Sequence, residues 1–122
     1  MLDSFSIDAT ARLSSVKFSG HLTLHDLRTY IMALRQNPDF QPQFSELVDL
    51  TEVRSTELDT AKSALLSEAT DPFSRESKRA FVVHNERIDH VVRIYQRLRD
   101  ESPSIKLFRS MEEARRWLVV SR

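Results

Sequence analysis

His84 and Asn85 close a short apolar run, Ala80-Phe81-Val82-Val83, and Thr51 and Arg54 follow a second run, Leu47-Val48-Asp49-Leu50. If both runs are parallel strands, these four side chains reach the carboxyl edge of one sheet, where open α/β folds bind ligands. They would form a neutral-to-basic cluster with hydroxyl, amide and imidazole groups. The competing reading makes Asn85 a helix cap and His84 a local hydrogen-bonding group. Asp49, a carboxylate within an apolar strand, must be paired or hydrogen-bonded to stay ionised. Arg79 or a backbone N–H is the expected partner, and no nucleophile stands near it in sequence to make it a general base. His21 and His25 are four apart, but His21 precedes the helix cap expected at Thr23. With two candidate ligands for a tetrahedral site, the pair is read as no metal centre.

A second constellation is apolar. Leu65 and Leu66 on a helix, with Phe73 in the polar stretch Thr70 to Ser77, could mark a partner surface or the mouth of a lipid-sized cavity. Loop phenylalanines also join cores, so both placements of Phe73 stay open.

Composition narrows the classes. Eighteen basic residues balance eighteen acidic ones, so no positive field gathers nucleic acid. The chain has no cysteine, which removes disulfides and thiolate chemistry and fits a cytoplasmic setting. It has one glycine, Gly20, which argues against phosphate-cradling loops and nucleophile elbows. No cofactor is expected, no signal segment is read at Met1 to Asp8, and no stretch approaches the roughly 20 apolar residues of a membrane span.

The elements that would position these residues follow from periodicity. Phe5 and Ile7, then Val16 and Phe18, alternate with polar neighbours and predict a hairpin, with a bulge at the out-of-phase Leu13. Thr23 and Asp26 form a capping box for a helix carrying Leu24, Leu27, Ile31 and Leu34, which Asn37-Pro38 ends. Phe40 and Phe44 pin the next loop. Glu46 to Leu50 reads as a doubly covered strand. Thr56 and Asp59 repeat the capping-box spacing before a helix whose inward face is Leu58, Ala61, Leu65 and Ala69. Arg79 to His84 is a buried parallel strand, and Asn85 caps a helix with the stripe Ile88, Val91, Val92, Tyr95 and Leu98. Ile105 to Phe108 is an edge strand. Ser110 and Glu113 open a last helix that buries Met111, Ala114, Trp117 and Leu118. The order predicts one α/β domain over residues 1–122, a mixed, mainly parallel sheet of about five strands flanked by about four helices.

Several segments in this order resemble the SpoIIAA-like proteins, relatives of the STAS domains that include anti-sigma factor antagonists. They are Gly20-His21-Leu22-Thr23 with Asp26-Leu27, Leu47-Val48-Asp49-Leu50-Thr51, Arg79 to Val83, Arg93-Ile94-Tyr95, and Phe108 to Ala114 with Trp117-Leu118. The resemblance implies a sheet in the SpoIIAA-like arrangement, a fold also related to the lipid-binding lobe of a class of lipid-transfer proteins. It does not carry over the phosphorylatable serine. The stretch after the Val-Asp-Leu strand is Thr56-Glu57-Leu58-Asp59-Thr60, without serine or glycine, and Ser55 and Thr56 read as helix caps. The third long helix also lacks the glycine that relatives often carry before the arginine equivalent to Arg93. The expected function is a non-enzymatic regulatory or protein-interaction module, acting on a protein partner or as a homodimer. The alternative is a carrier or sensor of a small apolar or lipid-like ligand, and an enzyme is the least supported.

Overall fold

A computed structural model describes residues 1–67, 71–99 and 104–120, without the side chains of 64–67 and 120. Strands β1 (Leu2–Asp8) and β2 (Leu13–Leu22) form the expected hairpin, followed by α1 (Leu24–Gln36), β3 (Ser45–Thr56), α2 (Thr60–Ser67), β4 (Arg79–Val82), α3 (Glu86–Leu98), β5 (Ile105–Phe108) and α4 (Met111–Val120). The five strands lie in the order β1-β2-β3-β4-β5. β1 runs antiparallel to β2, and every other neighbour is parallel. From β2 to β5 the sheet grows in one direction, so crossovers of one hand place their connecting helices on one face. α4, after the last strand, covers the other.

This division explains the phase of the strand residues. Period-two alternation sends Val16, Phe18, Val48, Leu50 and Phe81 to the α1–α3 side, and Leu47, Ala80 and Val82 to α4. Leu13 packs with the α4 cluster and pairs regularly with Asp8, so its odd phase marks the opposite face and not the expected bulge. The irregularities of β2 against β3 fall at Lys17/Ser19 and Gly20/His21. Gly20 has φ +65°, a left-handed conformation that other residues adopt at a cost.

Thr23 and Asp26 make the full reciprocal capping box of α1, and Asn37 is its C-cap. The second cap differs from expectation. β3 runs on to Thr56, held alongside β2, and Thr56 Oγ1 donates to Leu22 O at 2.8 Å. Asp59 caps α2 instead, its carboxylate accepting from Lys62 N at 2.9 Å. Ser55 likewise caps no helix; its hydroxyl meets His21 Nδ1 at 2.8 Å. Ala61, expected to face inward, is exposed, and Ala69 lies outside the described residues. On α3, Asn85 caps as expected, but Leu98 at the end of the stripe is 38% exposed. Ser110 Oγ accepts from Glu113 N at 3.3 Å, and α4 buries Ala114 and Leu118. No helix among the described residues is long and apolar enough to cross a membrane.

Candidate functional site

α1 packs over β1 and β2, while α3 packs over β3 and β5. Above central β3 the two helices frame a cavity of about 90 Å³. Leu27, Ile31 and Leu34 of α1 face Ile88, Val91 and Val92 of α3 across it. Phe18, Val48, Leu50 and Phe81 form the sheet floor, and Leu22 and Leu58 close the carboxyl end. Phe73 also lines it and is only 5% exposed, so it is a core residue and not a surface anchor. Its ring meets Phe40 at 5.2 Å, and Phe40 in turn meets Phe44 at 5.8 Å, which ties the loop before β3 to the cavity wall. The side chains of Leu65 and Leu66 lie outside the described residues.

The amino end of the cavity is polar, and its construction is read from strand register. Ser14 of β2 lies beside Glu46 of β3, and Glu46 beside Arg79 of β4. Each occupies the first position of its strand that faces α1 and α3, two residues before Val16, Val48 and Phe81 respectively. All three are buried. Arg79 donates from Nε to Glu46 Oε1 at 2.9 Å, and from Nη1 to Asp71 Oδ2 at 2.8 Å and to Tyr95 Oη at 3.2 Å. Tyr30 donates to Glu46 Oε2 at 2.6 Å. A phenol has one proton, so Ser14 must be the donor in its 2.8 Å contact with Tyr30. Tyr95 spends its proton on Asp71, whose other oxygen accepts from Phe73 N at 3.0 Å. Arg99 Nε stands 3.3 Å from Asp71 Oδ2 without a hydrogen bond. Among the described residues, two carboxylates and two guanidinium groups thus form one chain with no net charge.

The titration of the cluster follows from these contacts. Burial pushes the Tyr30 hydroxyl well above its ordinary value, and the Glu46 charge pushes it further. Burial also raises Tyr95, with Asp71 reinforcing it and Arg79 opposing. Burial works against the Arg79 charge, yet Glu46, Tyr95 and Asp71 hold the guanidinium protonated. Burial would raise the Asp71 carboxyl, but Arg79, the Tyr95 hydroxyl and Phe73 N–H outweigh it and hold it below the usual carboxylate range. Rings flank the guanidinium at 4.8 Å (Phe73), 5.5 Å (Tyr95) and 6.0 Å (Phe81).

Of the four polar residues expected at the carboxyl edge, His84, Asn85 and Thr51 hydrogen-bond to the protein itself. His84 Nε2 contacts Arg109 O at 2.9 Å, and Asn85 Oδ1 accepts from Arg87 N at 2.8 Å. Asn85 Nδ2 reaches Arg54 O at 3.5 Å, which brings those two residues together. Thr51 turns back, its N–H and hydroxyl both donating to Asp49 Oδ1 at 2.9 and 2.7 Å. Asp49 therefore has the expected backbone partner but not Arg79. Its register neighbour is Val82, three residues on, so the two side chains leave opposite faces. An open groove beside α3, lined by Ser55, Thr56, Glu86, Arg87 and His90, lies near this edge. His21 is a strand residue and His25 a helix residue, so their spacing does not align the rings on one helical face. No metal-competent cluster of three or more His, Cys, Asp or Glu occurs among the described residues.

A parallel sheet entered through an antiparallel hairpin, with three crossover helices on one face and a terminal helix on the other, defines a class of α/β domain. The SpoIIAA-like family model matches residues 13–119, and the chain belongs to the SpoIIAA-like family. No curated protein matches. Among solved structures, an uncharacterised protein of the DUF3478 family with a SpoIIAA-like fold, from Shewanella loihica PV-4, is similar with a TM-score of 0.62 and 20% identity. The match covers 97% of this chain and 95% of that one, and it shows a shared fold.

Proposed function

We propose that this domain is a non-catalytic binding module that takes up a small, mostly apolar molecule between its sheet and helices α1 and α3, as a carrier or sensor. The supporting observation is the cavity itself: about 90 Å³, walled by aliphatic and aromatic side chains, with a buried polar cluster at one end. An engineered apolar cavity of roughly 150 Å³ holds benzene, so this one suits a ligand of about four to six heavy atoms. The polar cluster supplies orientation; its carboxylates are neutralised by arginines, which favours binding over catalysis.

A contiguous exposed apolar patch would favour a protein-contact role instead. Of the residues that suggested one, Phe73 is interior and the Leu65 and Leu66 side chains lie outside the described residues; among the described residues the large exposed apolar side chains Met1, Met32, Leu98 and Val119 are spread over different elements. Ligand binding is the reading that the cavity supports. Melting the protein with millimolar benzene or cyclopentane tests it. A rise in Tm that is lost in Ile31→Phe, where a larger ring occupies the cavity wall, is expected. An unchanged Tm across such ligands would contradict the reading.

A further inference from the structure

We infer that the ligand carries a neutral oxygen acceptor, a carbonyl or hydroxyl, received by Arg79 at the amino end of the cavity. This rests on the binding reading above and specifies its chemistry. Arg79 borders the cavity. Its Nε and Nη1 are committed to Glu46, Asp71 and Tyr95, whereas Nη2 makes no hydrogen bond to any described residue. A guanidinium has five N–H donors, so donor capacity remains at this end. The phenols add none, because Tyr30 and Tyr95 have already given their protons to Glu46 and Asp71.

Charge selects among acceptors. Glu46 and Asp71 are balanced by Arg79 and Arg99, with the Glu46, Asp71 and Arg79 side chains at most 7% exposed. A ligand carboxylate would leave an excess negative charge in a weakly polarisable interior, and an ammonium group an excess positive one. A ketone or alcohol accepts a charge-assisted hydrogen bond without disturbing the balance. The rings of Phe73, Phe81 and Tyr95 fix the guanidinium plane in advance, which lowers the ordering cost of that bond.

The experiment titrates the wild-type chain with size-matched n-hexane, methyl propyl ketone, n-pentanol, butanoate and butylammonium. Tm and the side-chain N–H resonances of Arg79 are followed by NMR. The ketone and alcohol are expected to raise Tm and shift the Arg79 resonances, with butanoate and butylammonium at least about tenfold weaker. Binding of hexane but not the ketone would overturn the inference and leave the apolar cavity standing. Ketone binding without an Arg79 shift, or tighter binding of either ion, would also overturn it. Absence of binding by every compound would remove the binding reading itself.

Discussion

At the residue scale, the account turns on Arg79. Removing one partner of a buried ion pair leaves the other charge uncompensated, so Arg79→Met should lower stability by about 3–5 kcal/mol in urea titration. Loss of under about 1 kcal/mol would mean that the pairs with Glu46 and Asp71 carry no such weight. Tyr30→Phe strands one Glu46 oxygen and the Ser14 hydroxyl and should cost about 1–3 kcal/mol. Asp71 sets an acid limit. Its folded pKa lies below its unfolded value, so its contribution is complete above the ordinary carboxylate pKa of about 3.9 and is lost as pH falls through the folded value. Unfolding midpoints should therefore drop steeply below about pH 4, and Asp71→Asn should flatten that drop. A variant with the wild-type acid profile would assign the sensitivity to other carboxylates.

At the element scale, helix starts were legible where the cap lies beside its helix. Thr23 with Asp26, and Asn85, are read correctly because cap chemistry is local. Thr56 misled because its spacing to Asp59 imitates a capping box, while the β2 edge extends β3 through it by a pairing between segments far apart in sequence. The polar row was hidden for the same reason. Glu46 lies two and four residues before Val48 and Leu50, which places it on their face, but only the register with Ser14 and Arg79 reveals a cluster. Asp49 is the conspicuous charge inside the apolar run, yet it is half-buried and Glu46 is the interior carboxylate of β3. Asp59→Ala should reduce stability by about 1 kcal/mol through the lost α2 cap, measurable as a shift in denaturation midpoint. A neutral effect would return the cap to Thr56.

At the scale of the whole molecule, the sheet separates two unlike cores. The α4 side is filled by Leu47, Ala80, Val82, Ala114 and Leu118, with Trp117 against Phe108 at 5.6 Å. The opposite side combines the aliphatic cavity with the ionic cluster. Alternating strand patterns made the layers and the mainly parallel sheet readable from sequence. The cavity was not, because it arises from how far apart α1 and α3 settle over β3. Trp117 is the only tryptophan, so a cavity ligand should leave its emission nearly unchanged while perturbing Tyr30 and Tyr95. The most direct measurement is a crystal of the protein pressurised with xenon. The account predicts a xenon site among Leu27, Leu34, Val48 and Ile88. An α1–α3 interior that stays empty of xenon, or xenon seated only beside Trp117, would contradict it.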